Sequence, residues 1–133
     1  MKLIIFTDGA SRGNPGPASL GYVIKNENGL ILHQAGEILG VQTNNFAEYS
    51  AVLFAFEYID KHLSKYQTIT FYMDSLLVAM QLSGKYKLKS ETLRPLFLQI
   101  KEIEKKFDLV SYSHVPRKEN AVADGLANMA LDR

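Results

Sequence analysis

There is no cysteine among the 133 residues, which removes disulfide stapling and thiolate metal ligation and fits a reducing, cytoplasmic home. No apolar run approaches the ~20 residues that a bilayer span needs. Met1-Lys2 leads straight into a short strand-like run with no small-residue cleavage pattern after it, so neither a membrane segment nor a signal peptide is expected. An excess of one charge is missing too: 15 basic against 14 acidic residues leave a formal net charge of +1. A chain so close to neutral is no general magnet for polyanions, and any nucleic-acid surface has to be local. Internal repeats, low-complexity segments and linkers are also absent. What remains is globular usage, 47% hydrophobic and 22% charged, in a length suited to one domain, residues 1–133, around a single core.

The elements alternate in the manner of an α/β chain. Lys2 to Phe6 is a β-branched and aromatic run of strand length. Leu20 to Lys25 and Leu30 to Ile38 read as two more strands, joined by Asn26-Glu27-Asn28-Gly29, whose Asn-Gly is a strong hairpin signal. From Asn45, read as N-cap, to about Leu63, apolar residues recur at three- and four-residue steps and predict an amphipathic helix. Gln67 to Met73 is a strand, Ser75 to Leu82 and Glu91 to Phe107 are helices, Leu109 to His114 is a fifth strand, and Glu119 to Leu131 is a closing helix. Ser90 is the expected N-cap of the third helix, with Pro95 as a marker of its first turn. The order is βββαβααβα. A right-handed crossover through the long helix makes the strand before Asp74 parallel to the strand before Asp8, which sets both acids at the carboxyl edge of the sheet.

Four acids stand out because each sits at an element end or on an apolar helix face. Asp8 follows the first strand and opens a loop with three glycines and two prolines, which is expected to stop the strand there. Asp-Gly is also common turn chemistry. Glu48 projects from the sheet side of the long helix, four residues before Val52, and as the third helical residue it could equally cap free backbone N–H groups. Asp74 could be a metal ligand or the N-cap of the helix that follows. Asp124 has poor helix propensity in mid-helix and lies among Ala121, Ala123, Gly125 and Ala127, which let a backbone approach closely. Taken one at a time each acid has a local explanation. Taken together, four carboxylates on one sheet edge either raise one another's pKa or bind cations, and Mg²⁺ is the leading candidate, since it accepts few carboxylates plus water and phosphate.

These residues fall in four segments: TDGASRGNPGP at 7–17, TNNFAE at 43–48, MDS at 73–75 and HVPRKENAVAD at 114–124. In combination they resemble the signature segments of type 1 ribonuclease H, and the resemblance runs over essentially the whole chain. It implies a ribonuclease-H-like fold, a five-stranded mixed sheet with helices on both faces. It also implies hydrolysis of the RNA strand of an RNA–DNA hybrid, leaving 5′-phosphate and 3′-hydroxyl ends, by a two-metal mechanism with two Mg²⁺ ions, for which Mn²⁺ can substitute. Asp8, Glu48, Asp74 and Asp124 match the family's metal-binding catalytic tetrad, and His114 its mobile-loop histidine. Gly9, Asn14, Asn44, Asn45, Ser75, Arg117 and Asn120 match substrate-binding positions, the asparagines being suited to the 2′-hydroxyl in a wide, shallow minor groove.

Two departures qualify the match. Where long members carry a basic protrusion, only Gly84-Lys85-Tyr86-Lys87-Leu88-Lys89 stands here, so a weaker grip and a steeper salt dependence are expected. Leu76 stands where many members have a substrate-touching Gln. The short form resembles the archaeal-type subgroup, some of whose members also cut double-stranded RNA. A monomer acting on nucleic acid, with no membrane partner, is the expected state. Two alternatives remain at this point: an exonuclease of the wider fold, against which stands the lack of Asp-x-Glu on the first strand, and a weak or inactive hybrid-binding module.

Overall fold

The computed structural model describes residues 1–133. Five strands, β1 (Lys2–Ser11), β2 (Gly16–Asn26), β3 (Ile31–Gln42), β4 (Thr68–Met73) and β5 (Leu109–His114), form one sheet in the order β3-β2-β1-β4-β5. The helices are α1 (Asn44–His62), α2 (Leu76–Leu82), α3 (Arg94–Glu104) and α4 (Ala121–Leu131), the last preceded by a 3-10 turn over Arg117–Asn120. β1 pairs antiparallel with β2, and β2 antiparallel with β3, whereas β4 is parallel to both β1 and β5. The predicted order and the parallel crossover are therefore present.

Strand alternation divides the sheet between two layers. Leu3 and Ile5 of β1, with Ile69, Phe71 and Met73 of β4, are buried under Val52, Phe56 and Ile59 of α1, Val78 and Leu82 of α2 and Ile100 of α3. The other face is covered over β1, β2 and β3 by α4, which buries Ala123, Ala127 and Ala130 there. Small residues make that contact close: a Cβ on Gly21 would overlap the Ala123 carbonyl, and Ser19 donates to the Ala127 carbonyl at 2.6 Å. No helix is long and apolar enough to cross a membrane.

β2 begins at Gly16 rather than Leu20, β3 runs to Gln42 rather than Ile38, and the closing helix starts at Ala121 after a 3-10 turn rather than at Glu119. Three further boundaries differ from the sequence expectation. The first strand does not stop at Asp8; it runs to Ser11, because β2 begins at Gly16 and supplies ladder partners as far as Ser11↔Ala18. Thr43, not Asn45, caps α1, its hydroxyl accepting from Phe46 N–H at 3.2 Å. The third helix begins at Arg94 with Pro95 in its first turn and ends at Glu104, while Ser90 caps only a preceding turn, accepting from Leu93 N–H at 3.2 Å. Proline, needing no N–H partner there, fixes the start more strongly than the upstream serine.

Candidate metal and nucleic-acid site

Asp8 lies inside β1, opposite Gly21 of β2 and one residue beyond the Thr7↔Met73 pair that ends the β4 ladder. Asp74 follows Met73, so the two carboxylates leave the sheet side by side. Past that last pair, the N–H of Gly9 has no β4 carbonyl to bond, and Glu48 Oε1 accepts from it at 2.6 Å. Glu48 is the fifth residue of α1 and does not cap the helix, which corrects the capping alternative; its carboxylate ties α1 to β1 instead. Gly9 makes the approach possible, since a Cβ there would overlap the Ala47–Glu48 peptide. Asp74 is not a cap either: Ser75 Oγ accepts from Val78 N–H at 3.3 Å and leaves the acid free.

Carboxylate oxygens of Asp8, Glu48 and Asp74 lie within 4.8 Å of one another. Asp124, in the first turn of α4, lines the same cavity of about 470 Å³ but stands outside that close trio, with Arg117 Nη2 at 3.9 Å from its Oδ1. Burial first, then the charge of Glu48, raises the pKa of Asp8 far above the carboxylate range; hydrogen bonds with Glu48 and Asp124 and the charge of Asp74 act in the same direction. Burial also raises Glu48, against the opposing pull of its hydrogen bonds to Asp8 and Gly9 N–H. Such a cluster is relieved by a cation. Its all-oxygen donor set suits a hard divalent ion rather than a soft one, so the residues fit Mg²⁺ or Mn²⁺.

Of the other residues singled out in the sequence, Gly9, Asn44, Asn45, Ser75 and Arg117 line this cavity. Asn14 does not; its Oδ1 accepts from Asn44 N–H at 3.0 Å and locks the β1–β2 loop to the start of α1. His114 is exposed at the end of β5, paired with Met73, and is also outside the lining. Asn120 is brought somewhere else: it is 1% exposed, and its Nδ2 donates to the Thr7 carbonyl at 2.9 Å, clamping the start of α4 beside Asp8. Ser11, Arg12 and Asn128 line the cavity without having been singled out. Asn128 was findable, since it lies four residues from Asp124 on the same helical face and donates to the Asp124 carbonyl. Arg12 sits within the 7–17 segment, where the glycines and prolines dominate the local signal.

A family model described as "Reverse transcriptase-like" matches residues 6–130. Ribonuclease HI of Halobacterium salinarum is 42% identical over 127 residues, 96% of this chain and 63% of that protein. The crystal structure of RNase H1 from the same archaeon superposes with a TM-score of 0.93 at 40% identity, covering 99% of this chain and 98% of that one. The chain belongs to the type 1 ribonuclease H family. Another member, LC11-RNase H1, crystallised in complex with an RNA/DNA hybrid, has a TM-score of 0.92 at 41% identity, covering 98% of this chain and 96% of its own. The bifunctional protein Rv2228c of Mycobacterium tuberculosis is 38% identical over 133 residues, 99% of this chain. The chain spans only 36% of that protein's length, as it spans 63% of the Halobacterium ribonuclease HI.

Proposed function

We propose that this chain is an endonuclease that hydrolyses the RNA strand of RNA–DNA hybrids with divalent metal ions, leaving 5′-phosphate and 3′-hydroxyl ends. The observation that carries this is the convergence of three carboxylates from β1, α1 and the end of β4 to within 4.8 Å, with a fourth from α4 on the same cavity wall. Asp8, Glu48, Asp74 and Asp124 would hold the metal, Mg²⁺ by preference and Mn²⁺ as a substitute. Bound there as a pair, the ions would supply Lewis acidity, lowering the pKa of the attacking water and neutralising charge on the leaving oxygen.

The protein's own groups do the rest. Asp8 is the central ligand, flanked by Glu48, Asp74 and Asp124, all three of which act on its carboxyl. Asn44, Asn45 and the Gly9 backbone stand on the cavity wall where sugar edges would pass, and amides that both donate and accept suit a 2′-hydroxyl. Asn14 acts by fixing Asn44. Arg117, exposed at the mouth, can leave Asp124 for a phosphate oxygen. His114, exposed on the same sheet edge, is in reach of solvent and serves proton transfer or product departure. Double-stranded RNA has the same A-form groove and is the second substrate to assay.

The test is cleavage of an end-labelled hybrid, with duplex DNA and duplex RNA as parallel arms, in Mg²⁺, in Mn²⁺ and in a chelator. Ion-dependent cutting of the RNA strand is expected. Asp8→Asn should lower the rate by more than the ~10–100-fold that loss of a ligand's outer partner costs. No cutting by the parent with either ion, or equal cutting by Asp8→Asn, would overturn the proposal.

A further inference from the structure

Two guanidinium groups flank the acidic cavity, and each is tethered to an acid of the last helix. Arg117 faces Asp124; Arg12, which also lines the cavity, has its Nη2 at 2.7 Å from Oδ1 of Asp132, the residue that caps the end of α4. We infer that Arg12 is a second phosphate-binding residue, gripping the RNA strand beside the phosphate that is cut, and that Asp132 is its positioning partner. The inference rests on the hybrid being the substrate.

The need for such a residue follows from charge. A polyanion has to approach four carboxylates on a chain whose formal net charge is only +1, so local cations at the rim must offset the repulsion. Only two arginines, and no lysine, line this cavity. Arg12 is also the better fixed of the two. Its backbone N–H donates to the Pro17 carbonyl at 2.8 Å, closing the β1–β2 loop, and its side chain is half exposed, against 82% for Arg117.

The pairing with Asp132 leaves the fork usable. A guanidinium carries five N–H donors, and the ion pair engages one terminal nitrogen. The remaining donors suit the oxygens of a phosphodiester, for which the planar fork is matched better than an ammonium. An exposed ion pair by itself contributes little to a fold, so a purely structural role leaves its place on the cavity wall without a cause. The strand assignment comes from the loop. Gly9 stands on the same wall and Asn14 in the same turn fixes Asn44, so Arg12 meets the strand whose sugars those residues face.

The experiment uses fluorescence anisotropy of a labelled RNA–DNA hybrid in Mg²⁺, with Asp8→Asn as the non-cutting parent, across a series of salt concentrations. Adding Arg12→Ala should weaken binding about ten-fold, the effect of one charge-assisted hydrogen bond. The slope of log affinity against log salt should become shallower by about 0.7–0.9, the counterion release of one phosphate contact. Arg12→Lys should restore the slope while recovering only part of the affinity. Asp132→Asn should keep the slope of the parent, because the cation remains. An unchanged slope in Arg12→Ala, or an equal loss of slope in Asp132→Asn, would overturn the inference while leaving the hybrid as substrate. A parent that binds hybrid no better than duplex DNA would overturn the hybrid reading and this inference with it.

Discussion

Ionising Asp8 is unfavourable in the folded chain, and that has a measurable side. Its carboxyl is buried and faces Glu48, Asp124 and Asp74, so in the metal-free fold burial and repulsion hold a proton on the site at neutral pH, a cost that an amide does not carry. In a chelator, Asp8→Asn should therefore raise the melting temperature while abolishing cleavage, and added Mg²⁺ should stabilise the parent but not the variant, as expected for an ion that binds only the folded state. Differential scanning calorimetry with and without Mg²⁺ checks both; a lower melting point for the variant in chelator would count against the repulsion. The four acids were legible in the sequence because each broke a local rule, an acid on an apolar face or at a strand end. The helix caps were not, since Thr43 and Ser75 stand beside residues of equal capping chemistry and only backbone geometry chooses between them. Asn120 was legible as important but not as a clamp, because nothing local announces its bond to the Thr7 carbonyl over 100 residues away.

At the scale of elements, the closest approaches are between backbones. Gly9→Ala would push a methyl group into the Ala47–Glu48 peptide, and displacing a whole helix to admit it should cost about 1–3 kcal/mol or more. Chemical denaturation measures that loss, and cleavage should fall along with it because Glu48 moves with α1. The same contact explains why β1 runs past Asp8 to Ser11. Glycine and proline argue against a continuing strand, yet the α1 backbone on one side and β2 on the other hold residues 9–11 extended. A second coupling joins α1 to the loop where longer members carry a protrusion. Tyr49, next to Glu48, donates its hydroxyl to Gln81 Oε1 at 2.6 Å, and Gln81 Nε2 reaches the Lys87 carbonyl at 3.4 Å. Tyr49→Phe leaves a buried amide oxygen without its donor and should lower stability by about 1–3 kcal/mol. It should also loosen the lysine loop, seen as faster amide exchange over residues 84–90.

For the molecule as a whole, one pH response away from the acidic site comes from an aromatic stack on α1 and β3. His33 lies flat on Tyr58, with ring centroids 3.6 Å apart and planes 2° apart, and Tyr58 in turn meets His62 at 4.5 Å. Burial and then the charge of His62 hold the pKa of His33 below its ordinary value. The fold thus prefers the neutral ring, so this contribution is full above about pH 6.5 and fades as the pH falls through that value. Between about pH 7.5 and pH 5 the parent should lose more stability than His33→Gln, the other groups being common to both. Equal losses in urea titrations would remove His33 as the cause. The global topology was the most legible part of the chain, because a right-handed crossover leaves few ways to thread a strand, a long helix and a second strand.

The docking of α4 has a consequence in time. This helix brings the fourth carboxylate, holds Arg12 through Asp132 and clamps β1 through Asn120, and it seats on glycines and alanines late in the chain. During synthesis β1 to β4 and the first three acids emerge well before it, and β5 just ahead of it. If the site works as proposed, a nascent chain would own most of its carboxylates before the last helix closes over Gly21 and adds the fourth.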